Sequence, residues 1–174
     1  FRDQFITDVI QGGAGTSMNM NMNEVIANRA NELLGGALGT YDKVHPNDHV
    51  NFGQSTNDVV PTSGKLTIQF LLKDLVSNLE DLYSAFQSKA TQYDHIIKMG
   101  RTHLQDAVPI RVGQEFRAFS GPVKRDIERL KAAMYELSFV NMGATAVGTG
   151  LNADVNYIQR VVEVLSEVTG FSFS

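Results

Sequence analysis

The 174-residue chain is 43% hydrophobic and 20% charged, which is enough apolar sequence for one ordered domain with a substantial core. Its net charge of −4 argues against a general nucleic-acid-binding protein, and no local cluster of Lys or Arg opposes that conclusion. It contains no cysteine, which excludes disulfides, thiol catalysis and cysteine-ligated zinc and fits a cytoplasmic protein. No apolar stretch is long enough to span a membrane, so we expect no membrane association.

The first part of the chain alternates between polar loops and one helix. A loop rich in Gly and Asn, Gln11 to Asn23, precedes a predicted helix from about Glu24 to Leu34. Gly35 and Gly36 end that helix, as glycines beyond a C-terminus do. The next segment, "VHPNDHVNFGQSTNDVVPTS", consists of turn formers, cap formers and small polar residues, and we predict a second loop there.

Two long helices are predicted next, from about Pro61 to Tyr93 and from about Val112 to Leu137. In the first, apolar residues recur at alternating steps of four and three, which is typical of helices packed in a bundle: Ile68, Leu72, Leu75, Leu79, Leu82 and Phe86. In the second we predict a kink or break near Gly121, because Pro122 lacks a backbone donor.

The segment "HIIKMG" between these helices is predicted to be extended, and the Gly-rich "GATAVGTGLN" precedes a last helix from about Val155 to Val168. We therefore predict an all-α fold, a bundle of long helices joined by polar loops. Because the chain begins with Phe1 and stops at "TGFSFS" after a predicted helix, we expect it to be a fragment of a longer protein.

Three polar segments interrupt these helices, and long ordered connections tend to be functional. They carry neutral donors and a few titratable groups: Thr16, Ser17, Asn19 and Asn21 in the first; His45, Asn47, Asp48, His49, Ser55, Thr56, Asn57 and Asp58 in the second; Arg101, Thr102, His103, Gln105 and Asp106 in the third. Such donors suit carboxylate binding, and one directed at a developing anion contributes roughly 3 kcal/mol to catalysis.

Each segment also has a structural interpretation. "STND" directly before a helix is a good capping sequence, and a single histidine is more often a structural hydrogen-bonding group than a catalyst. "GTGLN" is a turn signal without the spacing of a phosphate-binding loop. His45 and His49 are four residues apart, but Pro46 argues against a helix there and hence against a metal site, so we expect no metal.

Taken together, three long segments are similar, in order and approximate spacing, to the aspartase/fumarase superfamily: "GGAGTSMNMNMNEV", "HPNDHVNFGQSTND" and "GRTHLQDAVPIRVGQEF". The resemblance runs from about Phe5 to the C-terminus. Within the superfamily the chain looks like an aspartate ammonia-lyase, since Ala14 stands where fumarases commonly have serine, and Ser17 and Val108 favour the same branch.

The resemblance implies an all-α homotetramer built around a central bundle of long helices, with each active site assembled from three subunits. It also implies that residues 1–58 are the end of an N-terminal domain with substrate-binding loops, and that residues 59–174 are the first part of the central bundle domain. The implied reaction is reversible deamination of L-aspartate to fumarate and ammonia, a β-elimination through an enediolate that needs no cofactor.

The resemblance assigns roles to individual residues. Thr16, Ser55 and Thr56 resemble the hydroxyls that bind the carboxylate destined to become the enediolate. Thr102 resembles a ligand of the other carboxylate, while Asn57 and His103 resemble groups near the leaving amino group, so Thr102 and His103 are the expected catalytic pair. A second, peripheral dicarboxylate site is implied at His45, Asn47 and Asp48.

One part of the family pattern is missing. The family's base is a serine on a mobile Gly-rich loop, within a "GSSxMPxKxN" segment that these 174 residues lack, and we expect the chain alone to be inactive. Two other functions stay open: a class II fumarase, which interconverts fumarate and L-malate, and a non-catalytic helical oligomerisation module. The joint presence of six polar site residues favours an enzyme over the module.

Overall fold

The computed structural model describes residues 1–11 and 13–174, which form two compact units, residues 1–66 with 138–174 and residues 67–137. Its main elements, in chain order, are α1 (Thr16–Leu33), α2 (Thr56–Gln92), β1 (Ile97–Thr102), β2 (Gln105–Arg111), α3 (Val112–Glu136) and α4 (Val155–Thr169). The predominantly helical prediction is confirmed, with a two-stranded sheet in addition. Within the described residues, no helix combines the length and apolar character required to cross a membrane.

Helix α1 begins at Thr16, so most of the predicted loop from Gln11 to Asn23 is helical, and Gly12 lies outside the described residues. Asparagine is a weak helix former, which is why the sequence predicted a loop. The structure overrides that preference because α1 buries its asparagines, Asn19, Asn21, Asn23 and Asn31, against the segments around it. Their side-chain hydrogen bonds replace the apolar packing that usually holds a helix in place.

Asn31 shows how complete this bonding is. Its side-chain nitrogen donates to the Ala27 and Val44 carbonyls at 2.8 and 2.7 Å. Its side-chain oxygen accepts from the Lys43 and Val44 amides at 3.0 and 3.2 Å. The residue is fully buried and uses all four of its hydrogen-bonding capacities, so it fixes the segment after α1 against the helix.

Helix α2 begins at Thr56 and contains Pro61, the residue at which the sequence predicted its start. Pro61 has no N–H to donate to the carbonyl four residues earlier, which belongs to Asn57. The side-chain nitrogen of Asn141 donates to that carbonyl at 2.9 Å instead. A proline near the start of the helix therefore opens an attachment point for the segment before α4.

The second unit contains a pair of antiparallel helices. The Gln69 side chain of α2 donates to the Met134 carbonyl of α3 at 2.6 Å, and Gln87 donates to the Ser120 hydroxyl at 2.8 Å. Helix α3 is continuous through Pro122, so the predicted break near Gly121 is wrong. The predicted bounds of α3 and α4 are confirmed to within one residue.

Between these helices, "GRTHLQDAVP" lies in an antiparallel hairpin rather than the predicted loop. Thr102 of β1 pairs with Gln105 of β2 across the two central turn residues, His103 and Leu104. Both turn residues have left-handed backbone angles, φ 49° and 63°. A two-residue hairpin turn with positive φ at both central positions is of type I′, which usually takes Asn and Gly there.

The apolar stripe on α2 is only partly covered in this chain. Ile68, Leu75 and Leu82, which recur every seven residues, are 43%, 45% and 42% exposed. Leu72, Leu79 and Phe86, the alternate members of the stripe, are half-buried. An exposed apolar seam of this kind favours association with another surface.

We predict that the 174-residue chain self-associates through this seam. Replacing Leu75 and Leu82 together by glutamate places two charges on it and should lower the molar mass measured by light scattering. The matched control replaces Ser77 and Ser84 by glutamate. Both serines are exposed and lie two residues further along the helix, hence on its other side. Equal masses for the two double variants, or a monomeric wild type, would contradict this prediction.

Candidate active site

The first turns of α1 and α2 lie against each other. Gly15, which precedes α1 with φ 89°, approaches α2 so closely that a Cβ there would lie 2.9 Å from the Val60 Cγ1 atom. The side-chain nitrogen of Asn19 donates to the Thr56 hydroxyl at 3.1 Å. Helix N-termini carry a partial positive charge and unpaired N–H groups, so two of them in contact favour an anion. Thr16, the first residue of α1, is exposed at this place.

The capping interpretation of "STND" is confirmed. The Ser55 hydroxyl oxygen accepts from the Asn57 amide at 3.2 Å, and the Asp58 carboxylate accepts from the Ser55 amide at 2.9 Å. These reciprocal bonds satisfy donors that the start of a helix leaves unpaired. Capping fixes the backbone of the segment that carries the hydroxyls, so it is compatible with a role in binding.

The hydroxyls of Ser55 and Thr56 retain a donor. Each accepts one N–H from the protein, from Asn57 and Asn19 respectively, and a hydroxyl oxygen that accepts can still donate its own proton. Within the described ranges, no acceptor receives either proton. Both side chains are half-buried, so a ligand can reach them. Two adjacent donors at a helix N-terminus can bind a carboxylate.

The Asn57 side chain is attached to the Gly-rich segment before α4. Its nitrogen donates to the Ala146 carbonyl at 2.8 Å, while its backbone carbonyl accepts from the Asn141 side chain. The amide nitrogen is therefore engaged, and the side-chain oxygen accepts no hydrogen bond from the part of the chain that the structure describes. Asn57 is exposed, and this oxygen is available to an ammonium group.

Asp58 joins the start of α2 to the same Gly-rich segment. One carboxylate oxygen accepts from the Ser55 amide, and the other accepts from the Thr145 amide at 2.9 Å. Asp58 is fully buried, and no Lys, Arg or His of the described ranges pairs with it. Thr145 is buried with φ 58°, an uncommon conformation for a β-branched residue. The bond to Asp58 holds Thr145 in that conformation.

Tyr157 of α4 lies beside this cluster. Its hydroxyl and that of Thr145 are buried. Burial raises the pKa of the Tyr157 phenol, and the negative charge of Asp58 raises it further. The neutral phenol is therefore the form that the folded chain favours.

Thr102 and His103 belong to the second unit and are exposed. The hairpin presents them at its tip, where Leu104 is 92% exposed. Positive φ at a leucine costs about 1–3 kcal/mol, and strain of this kind is concentrated at functional sites. The hairpin explains how the sequence places His103 in solvent, next to a threonine whose backbone is paired.

Asn47 and Asp48 of the implied peripheral site lie in one helical turn, Pro46–Val50, which His45 caps, and this corrects the prediction that no helix forms there. The His45 Nδ1 atom accepts from the Asn47 and Asp48 amides, both at 3.3 Å. The His49 Nδ1 atom accepts from the His45 amide at 2.8 Å. Both histidines thus have a local structural role. The described residues contain no group of three or more His, Asp or Glu placed to hold a metal ion.

The structure thus places Ser55, Thr56 and Asn57 at the start of α2, where the Asn19 side chain of α1 donates to the Thr56 hydroxyl. Sequence reasoning gave no role to Asn141 or Thr145 and placed Asp58 only as a cap. The one available signal was Pro61, because it leaves the carbonyl of Asn57 unpaired.

Comparison with known proteins places this arrangement in a family. The family model described as "Lyase" matches residues 1–174. The chain belongs to this lyase family. It is 58% identical over 170 residues to the aspartate ammonia-lyase of Bacillus subtilis strain 168, a match covering 98% of the chain and 36% of that protein. The lyase chain therefore spans about a third of the length of the curated relatives that it matches.

Solved structures agree with this assignment. A fumarate lyase:delta crystallin from Brucella melitensis is 48% identical with a TM-score of 0.90, covering 99% of the lyase chain and 37% of its own. The class II fumarase from Schistosoma mansoni is 37% identical with a TM-score of 0.88, covering 97% and 35%. The helical fold of this lyase chain is therefore that of the fumarase and fumarate lyase structures.

The bond between Asp58 and Thr145 predicts a local effect of Asp58→Asn. The amide places a donor against one of two N–H groups, so the Gly-rich segment should open more readily. Hydrogen exchange of peptides covering Thr145 should be about tenfold faster or more, since a hydrogen bond to a charged group contributes about 1.5–3 kcal/mol. The control is Asp154→Asn, because Asp154 caps α4 by accepting from the Asn156 and Tyr157 amides, and asparagine caps equally well. Equal hydrogen-exchange rates around Thr145 in the two variants would contradict a stabilising role of the bond between Asp58 and Thr145.

The raised pKa of Tyr157 predicts a loss of stability at alkaline pH. Above about pH 10 the phenol ionises in the unfolded chain but stays protonated in the folded chain. The folded state then binds more protons, so its free energy of unfolding decreases with rising pH until the folded pKa is passed. Urea unfolding at several alkaline pH values should show a smaller decrease for Tyr157→Phe than for wild type. The exposed Tyr135→Phe is the control, and equal slopes for wild type and Tyr157→Phe would contradict the prediction.

Proposed function

We propose that this chain is part of an enzyme that reversibly deaminates L-aspartate to fumarate and ammonia. The observation that carries the proposal is the pair of adjacent hydroxyls, on Ser55 and Thr56, whose protons no described residue accepts. Their place at the contact between two helix N-termini suits a carboxylate. The 58% identity to an aspartate ammonia-lyase supports L-aspartate as the substrate.

In this mechanism, the chain binds the β-carboxylate of aspartate. Removal of a Cβ proton sends the C–H electron pair into that carboxylate and forms an enediolate. The second negative charge makes donors at this carboxylate bind the transition state more strongly than the substrate, which is what lowers the barrier. Ser55 and Thr56 supply such donors, and Thr16 at the start of α1 adds a third hydroxyl. Collapse of the enediolate forms the double bond and breaks the C–N bond.

The leaving amino group is assigned to Asn57. Because its side-chain nitrogen is bonded to the Ala146 carbonyl, the oxygen is the atom left for a ligand, and an oxygen accepts from an ammonium group. The Gly-rich segment thus sets which end of the Asn57 amide a substrate meets. Because this oxygen can only accept hydrogen bonds, it favours an amino group over a second carboxylate at this place.

Thr102 and His103, at the hairpin tip, are proposed as a ligand of the α-carboxylate and a group near the amino group, in an active site that the resemblance assembles from three subunits. The proposed whole protein is a cytoplasmic homotetramer, with residues 1–58 ending the N-terminal domain and residues 59–174 beginning the bundle domain. The exposed seam on α2 supports subunit packing, and the absence of cysteine fits the compartment. The peripheral dicarboxylate site at His45, Asn47 and Asp48 stays a prediction.

The test is ultraviolet detection of fumarate, with the chain restored to the length of its relatives and supplied with L-aspartate and L-malate in parallel. Fumarate from aspartate alone is expected, while the 174-residue chain should show no turnover because it lacks the serine-base segment. Thr56→Val should lower kcat/KM about 100-fold, the effect of removing one oxyanion donor. Thr56→Ser retains the hydroxyl and should stay close to wild type.

Other outcomes of this assay contradict specific parts of the proposal. Fumarate from malate alone would make the protein a fumarase. If no fumarate formed from either substrate, the result would contradict the catalytic function and favour a non-catalytic helical module. Normal turnover by Thr56→Val would leave the reaction in place and remove Thr56 from the site.

A further inference from the structure

Two asparagine side chains, Asn51 and Asn19, link the Gln54 carbonyl to the Thr56 hydroxyl by hydrogen bonds. The Gln54 carbonyl determines which atom donates and which accepts in each of these bonds. The Asn51 side-chain nitrogen donates to the Gln54 backbone carbonyl at 3.4 Å. A carbonyl can only accept, so this bond determines which end of the Asn51 amide faces it. The Asn51 side-chain oxygen must then face α1, where it is an acceptor.

Two asparagines of α1 meet that oxygen. The side-chain nitrogen of Asn19 lies 3.3 Å from it, and that of Asn23 lies 3.1 Å from it. Both must present nitrogen, because an oxygen placed there would face another oxygen. Asn19 and Asn23 are 6% and 4% exposed, so water cannot easily replace either bond.

The same nitrogen of Asn19 also donates to the Thr56 hydroxyl oxygen at 3.1 Å. Because Asn19 can only donate there, Thr56 accepts, and its own proton points away from α1. The Gln54 carbonyl therefore sets the donor and acceptor roles of Asn51, then of Asn19, and finally of Thr56. Asn23 contacts the same Asn51 oxygen without being bonded to Thr56, so it does not set the role of Thr56.

We propose that Asn19 is a positioning residue that holds the Thr56 hydroxyl as a hydrogen-bond donor toward the substrate carboxylate. This inference rests on the proposed function, in which that carboxylate becomes an enediolate. An anion needs donors, and a threonine free to rotate would spend part of its time directing its proton elsewhere. Asn19 removes that freedom before the substrate binds, which is preorganisation of a donor for the transition state.

The polarity of the bond can be reversed by one substitution. In Asn19→Asp the carboxylate accepts, so the Thr56 proton turns toward residue 19 and is lost to the substrate. Asn23→Asp is the matched control: it introduces the same charge one turn further along the same buried face and contacts the same Asn51 oxygen. Both variants are made in the chain restored to the length of its relatives and compared at equal folded fraction.

With L-aspartate we expect Asn19→Asp to lower kcat about 100-fold with a smaller change in KM, since the lost donor acts mainly in the transition state. Asn23→Asp should retain most of the wild-type kcat. In a Thr56→Ala background, Asn19→Asp should cause no further loss, because the donor that it redirects is already absent. Asn19→Ala, which lacks the competing acceptor, should be impaired less than Asn19→Asp.

The inference is wrong if Asn19→Asp and Asn23→Asp are equally impaired, or if Asn19→Asp is as harmful without Thr56 as with it. If Asn19→Asp does not fold, a cycle of Asn19→Ala, Thr56→Ala and the double variant decides. A double variant no slower in kcat than Thr56→Ala alone supports coupling through Thr56, and additive losses in the two single variants contradict it. A wild-type enzyme inactive on aspartate would contradict the proposed function, and this inference with it. Normal wild-type turnover with unimpaired Asn19→Asp would contradict the inference alone.

Discussion

The buried carboxylate of Asp58 holds together the two segments on which the candidate site depends. Its charge is stabilised by two backbone amides, Ser55 at the start of α2 and Thr145 in the Gly-rich segment before α4. An unpaired carboxylate in a dry environment is very costly, so the two N–H groups and the charge require each other. The arrangement explains why Thr145 keeps an unfavourable backbone conformation. It also explains why Asn57, adjacent to Asp58, meets the Ala146 carbonyl.

Pro61 contributes to the same attachment by what it lacks. A residue with an N–H at this position would bond to the Asn57 carbonyl within the helix, and the Asn141 side chain would have to share that oxygen. The first turns of α2 are therefore connected to the segment before α4 through a carboxylate, an amide and a freed carbonyl. A helix end that is tied in this way has little freedom to change the direction of Ser55 and Thr56, which suits donors that must be in place before the charge develops.

The sequence was informative where apolar periodicity governs structure. Helices α3 and α4 were predicted to within one residue, because their burial follows a helical period. It was misleading where polar side chains replace apolar packing. The asparagines at the start of α1 and the "STND" segment were assigned to loops on local preference, but contacts with distant segments, such as Asn23 with Asn51 and Asp58 with Thr145, stabilise helices there. The hairpin at His103 was missed for a similar reason, since His and Leu are not the usual residues of such a turn.

The hydrogen-bonding capacity that a polar residue leaves unused distinguishes the candidate ligand-binding side chains from the structural ones in this chain. Asn31 has none left, because its two donors and both acceptor positions are engaged, and so it can only hold a loop. The Thr56 hydroxyl accepts a hydrogen bond from Asn19 and can still donate its proton. The Asn57 side-chain nitrogen donates to the Ala146 carbonyl, and its side-chain oxygen can still accept. A proton donor on Thr56 and an acceptor oxygen on the next residue match the proposed substrate, which carries a carboxylate and an ammonium group. Residue type alone predicts that these side chains are polar. Only their hydrogen bonds to the protein show whether each has a free donor, which suits an anionic group, or a free acceptor, which suits a cationic one.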